Sequence, residues 1–169
     1  MSTLRRLLVL GCVVGGFVTA ASALASSPNL PSLFASQIRA IHRDARAPAV
    51  LLPTSMALDG SHFYASGGPH GSGYDLSVGA VKNCDDATVC FIADFLAQKG
   101  GKVYGSPVAV SGASKAGYRG ISCGGSCSPA QIDYVVGGTL YTIQANVTGK
   151  DQKAALIAAA QASIAGGSR

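Results

Sequence analysis

The chain has 169 residues and a formal net charge of +5, sized for one domain and only mildly basic. It contains no glutamate and no tryptophan, so every mechanism that needs a glutamate base is excluded. Its lysines and arginines are dispersed, which argues against a nucleic-acid partner.

The N-terminus reads as an export signal. Arg5 and Arg6 form a positive flank, Leu7 to Val18 an apolar stretch, and Ala23-Leu24-Ala25 a small-residue exit before Ser26. The expected division is a signal peptide over 1–25 and a single domain over 26–169, which places the mature chain in a secreted, periplasmic or cell-envelope setting. Membrane attachment is then expected only if Leu7 to Leu24 stays uncleaved as an anchor. Cys12, as a lipid-attachment residue, has too few apolar residues before it. Without Arg5 and Arg6 the net charge drops by two units, and one core is expected to bury roughly two thirds of the unfolded surface.

Leu30 to Ala45 places Leu30, Leu33, Phe34, Ile38 and Ile41 at amphipathic helical spacing, and Pro48 ends the run. Arg39, Arg43 and Arg46 then fall on a solvated face. Val50-Leu51-Leu52 is a short strand candidate. Asp59 to Gly73, rich in Gly, Ser and His, predicts flexible turns around Phe63-Tyr64.

From Tyr74 the period changes to two, with Leu76, Val78 and Ala80 on the same side as Tyr74. Val89 to Ala97 continues as a strand with Phe91, Ala93 and Phe95 on one face. Tyr104 to Val110, Tyr118 to Ser122, Ile132 to Val136 and Thr139 to Val147 complete an antiparallel series. Gly137-Gly138 is the tight link of the last hairpin. Asn146-Val147-Thr148 is a formal glycosylation acceptor read as strand-end sequence. Asp151 to Ile164 predicts a helix with Leu156, Ile157, Ala160 and Ile164 facing the sheet. The expected fold is α+β, an antiparallel sheet of about 5–7 strands with an N-terminal and a C-terminal helix on one face.

Cys84, Cys90, Cys123 and Cys127 form an even set outside the cytoplasm, which predicts two disulfides. Proximity favours Cys84 with Cys90 and Cys123 with Cys127. A crossed pairing would close longer loops and stabilise more, so sequence alone leaves both open. Five and three intervening residues do not suit zinc, and neither pair has the two-residue spacing of a redox centre. No metal or other cofactor is expected.

His62, His70 and Asp75, with Asp59 nearby, are the candidate set for a small hydrolase or a metal-dependent enzyme, although no fixed spacing forces them together. Ser72, between two glycines and next to His70, is the nearest approach to a nucleophile turn. Asp75, Asp94 and Asp133 read as exposed-face strand residues, and Asp94 becomes a candidate if it points into a pocket. Gly67-Gly68, Gly100-Gly101 and Gly124-Gly125 match no phosphate-loop pattern and read as turns. Tyr104, Tyr118, Tyr134 and Tyr141 with Lys102, Lys115 and Arg119 are either a binding face or strand packing.

With Cys123-Gly124-Gly125-Ser126-Cys127, Tyr134, Gly137-Gly138, Tyr141-Thr142-Ile143 and a terminal helix through Ser163, residues 73–164 resemble small secreted or lipoprotein-type bacterial proteins of uncharacterised role. These are similar in outline to the sheet-plus-helix domains of periplasmic lipoprotein carriers and sigma-factor regulators. The resemblance implies a sheet with helices against one face, and a lipid or a partner protein cradled by the sheet. The sequence thus supports an exported, non-enzymatic binding protein, with the enzyme built on His62, His70 and Asp75 as the alternative.

Overall fold

A computed structural model describes residues 26–84 and 88–169. The expected export segment, including Ala25 at its cleavage site, lies outside the described residues, which begin at Ser26.

The predicted N-terminal helix exists in two pieces, α1 (Leu30–Leu33) and α2 (Ala35–Arg43). Asn29 caps the first, its side-chain oxygen accepting the Ser32 N–H at 3.0 Å, with Pro31 in the opening turn. The break falls at Phe34, which is fully buried and meets Phe95 edge-on at 6.0 Å. Val50-Leu51-Leu52 is a correction: it joins no sheet. Val50 and Leu52 are core residues, while Leu51 makes an isolated bridge to Ser168.

The sheet is formed by β1 (Tyr64–His70), β2 (Gly73–Gly79), β3 (Phe91–Lys99), β4 (Ser106–Pro107), β5 (Lys115–Arg119), β8 (Gln131–Val136) and β9 (Thr139–Ala145). Its order is β1-β2-β3-β9-β8-β5-β4, antiparallel throughout. Two short strands, β6 (Ser122–Cys123) and β7 (Cys127–Ser128), form a separate ribbon. The α+β expectation therefore holds, with seven strands in the main sheet.

The glycine-rich stretch expected to be turns contains edge strand β1, because β2 offers it a complete ladder from Tyr64↔Gly79 to His70↔Gly73. Both edges carry a proline, Pro69 on β1 and Pro107 on β4, which removes a donor from each exposed rim. The Tyr104 to Val110 expectation shrinks to Ser106–Pro107. Gly137 and Gly138 both take positive φ, 57° and 79°, as a tight two-residue hairpin requires.

Alternation separates the two faces. One row running from β1 to β5 is Gly67, Leu76, Phe95, Ile143, Ile132 and Tyr118; the adjacent row on the opposite face is Ser66, Ser77, Asp94, Gln144, Gln131 and Arg119. The apolar face is covered. Phe34 reaches Phe95, the Tyr141 hydroxyl donates to Ala49 O at 3.0 Å, and the Tyr74 hydroxyl accepts the Leu51 N–H at 3.2 Å. Helix α3 (Gln152–Gly166) packs on β8 and β9 through the buried residues Leu156, Ala159, Ala160 and Ser163. Its N-terminus is capped by Asp151, which accepts the Ala154 N–H at 2.9 Å. Among the described residues no helix is long and apolar enough to cross a membrane.

Candidate functional site

The uncovered face is where polar chemistry collects. A β-bulge sets its character: Val78 pairs with Ala93 but Gly79 pairs with Phe91, leaving Ile92 as the extra residue. The bulge moves Phe91 away from the face of Ala93 and Phe95, correcting the simple alternation expected for this strand. Phe91 instead lines two grooves on the open face, and Ile92 is buried, close against the Gly60 backbone.

The first groove, about 520 Å³, is lined by Tyr64, Ser66, Asp75, Ser77, Lys82 and Phe91 among others. The second, about 400 Å³, includes Phe91, Asp94, Ile121, Pro129, Gln144 and Asn146. Between them the Ser77 hydroxyl lies 2.6 Å from Asp94 Oδ1 and 3.2 Å from Asp75 Oδ1. With one proton to give, it donates at any moment to only one of the two carboxylates. Asn146 Nδ2 donates to Phe91 O at 2.9 Å and Gln144 Nε2 to Pro129 O at 3.3 Å, which fixes the amides along the second groove.

Two disulfides frame this end of the sheet, Cys84–Cys90 and Cys123–Cys127. The pairing is the local one. Cys84 lines the first groove and Cys127 the second. The first bridge closes the connection from β2 to β3; the second closes the β6–β7 ribbon between β5 and β8. Local bridges restrain the loops they close, so both grooves have a pinned wall.

Asp133 departs from its expected exposed position. It is 1 % exposed, since the chain from Gly101 to Pro107 straps across β8 on the open side. Asp133 Oδ2 accepts the Tyr104 N–H at 3.0 Å, while Oδ1 accepts from Gln131 Nε2 at 2.6 Å and Thr142 Oγ1 at 2.8 Å. A buried carboxylate with three donors is a structural anchor for the strap. Gly117 is required beneath it, because a Cβ there would collide with the Tyr104 carbonyl oxygen.

The four tyrosines do not form one surface. Tyr134 and Tyr141 stack in the core with ring centroids 5.6 Å apart, while Tyr104 is exposed and Tyr118 half-buried. Burial pushes the phenols of Tyr74, Tyr134 and Tyr141 above their ordinary range by disfavouring the phenolate.

The histidine set is divided. His70 and Asp75 line a third groove of about 530 Å³ with Ser72 and Gln98, where the β1–β2 hairpin turns. His62 precedes the opposite end of β1, roughly 20 Å or more away at about 3.3 Å per strand residue. It is exposed beside the Ser61 hydroxyl, at 3.0 Å. Ser72 and His70 are both exposed, and no hydrogen bond joins them. Asp59 is exposed as well, its N–H donating to Asn146 O. Among the described residues no group of three or more His, Cys and Asp converges to hold a metal ion.

Asp94, a candidate on condition that it points into a pocket, lines the second groove, and what the sequence missed is the rest of that groove, Phe91, Gln144 and Asn146. Its members alternate correctly within β9 and its extension, but the bulge that brings Phe91 to them leaves no periodic signal. The chain defines an α+β class with a seven-stranded antiparallel sheet, helices on one face and disulfide-pinned loops beside the other. It matches no protein-family model, no curated protein and no solved structure.

Proposed function

We propose that this is an exported, non-enzymatic binding protein of the envelope or extracellular space, which recognises a protein partner through the open face of its sheet. The observation that carries the reading is the two-groove surface around Phe91, bounded by both disulfide loops and bearing Asp75, Asp94, Gln144 and Asn146. An aromatic ring beside fixed polar groups is the composition of a recognition surface. The lipid-carrier arm of the expectation is the weaker one, because the apolar sheet face is filled by Phe34, Tyr74, Tyr141 and α3. Two disulfides suit an oxidising compartment. Binding is preferred to catalysis because His62 stands apart from His70 and Asp75, and Ser72 lacks a hydrogen-bonded base.

A photo-crosslinking amino acid in place of Phe91, introduced in the native host, tests the reading. One discrete crosslinked partner is expected, lost when Asp94→Ala is added and missing when the crosslinker replaces Arg39 on α2. No adduct at position 91, or the same adduct at position 39, overturns it. Export is tested separately by mass spectrometry of the mature chain, which should begin at Ser26.

A further inference from the structure

Away from the grooves, at the β5 rim of the open face, the Tyr104 ring is 54 % exposed and attracts two cations. Lys102 Nζ lies 5.6 Å and the Arg119 guanidinium carbon 5.7 Å from the ring centroid. The strap delivers Lys102 and Tyr104, whereas Arg119 comes from the end of β5. Lys115 shares Arg119's face of β5, about 13 Å along the strand.

Among the described residues no salt bridge joins Lys102, Lys115 or Arg119 to a carboxylate. Asp133 lies opposite Gly117, between Lys115 and Arg119; its oxygens are engaged by the neutral donors Tyr104 N–H, Gln131 and Thr142, so the cluster holds three cations against one buried carboxylate. The exposed ring gathers both cations at one place, where they are open to an approaching anion.

The form of the patch selects the kind of anion. None of the three grooves is lined by Lys102, Tyr104, Lys115 or Arg119. A small anion would therefore find charge without walls, whereas an extended surface needs none. Tyr104 is the kind of amphipathic side chain that enters a headgroup layer when cations sit beside it. We propose that this rim docks on an anionic lipid surface. Lys102, Lys115 and Arg119 meet the headgroups, and Tyr104 enters the interface. The proposal is independent of what the Phe91 grooves bind.

The chain contains no tryptophan, so Tyr104→Trp in the full protein creates a single local reporter. Its emission should shift to the blue on phosphatidylglycerol vesicles, stay unchanged on phosphatidylcholine vesicles, and return on adding salt. Lys102→Gln with Arg119→Gln should raise the lipid concentration for half the shift about thirtyfold, from two lost basic contacts. Lys153→Gln, which removes a cation from beside Tyr118 instead, should leave it unchanged. Unchanged circular dichroism melts identify folded variants. The proposal is overturned by an absent shift, an equal shift on neutral vesicles, or an undiminished shift in the folded double variant. A shift produced by soluble polyphosphate and not by vesicles assigns the rim to an anionic polymer and equally overturns it.

Discussion

Phe95 and Phe91 belong to the same strand but serve opposite faces of the sheet. Phe95 is 1 % exposed under Phe34, whereas Phe91 is half-buried between two grooves. The contrast teaches that stability and recognition are separated across one sheet thickness. Side chains that hold the helices point one way, while those available to a partner point the other.

The largest test of this separation is Phe95→Ala, expected to cost about 4 kcal/mol in urea denaturation through lost burial and a residual cavity. A loss below about 1 kcal/mol would show that the helix side is not the core. Asp133→Ala should follow at about 3 kcal/mol, since three donors lose their acceptor, with the strap becoming the first segment to exchange its amide hydrogens. Uniform exchange would contradict the anchoring role.

Removing either disulfide by paired serine substitution should cost about 2 kcal/mol. Increased hydrogen exchange should be confined to the groove walls and leave α3 protected. Cys84, Cys90, Cys123 and Cys127 should alkylate only after reduction.

A pH titration probes the covered face selectively. Unfolded phenols ionise near pH 10. Tyr74 and Tyr134 ionise at higher pH when folded, so above that point the unfolded chain binds fewer protons. Stability should stay level with respect to these groups below about pH 10 and fall as pH rises further. Tyr134→Phe should reduce that fall. Smallest of all, Phe91→Ala should cost about 1 kcal/mol, because its ring is only half-buried. The same substitution should abolish partner crosslinking from a reporter placed at Ser66, which separates the two phenylalanines by function as well as by stability.

Periodicity made much of the fold legible. Tyr74, Leu76 and Val78 face the helices as their alternation predicts, the Gly137-Gly138 hairpin lies where expected, and local cysteine spacing matches the observed bridges. What escaped was set by tertiary contacts. β1 is rich in glycine and gains its strand geometry from pairing with β2. Asp133 looks like any strand carboxylate until a distant strap crosses it. Tyr134 and Tyr141 carry the same residue type as Tyr104 but lie under the helices, so residue type alone could not divide core from rim.

The extra residue in β3 gives chain length a role distinct from side-chain chemistry. Phe91, the one residue of β3 on the N-terminal side of Ile92, is one step out of phase with the positions beyond it. Deleting Ile92 would restore unbroken alternation with Phe91 still opposite Gly79 on the open face, and the side chain lost would be the one buried against Gly60. Among related chains, a β3 shorter by this residue would therefore be compatible with the same grooves, and substitutions at the groove positions would be the more telling sign of changed recognition.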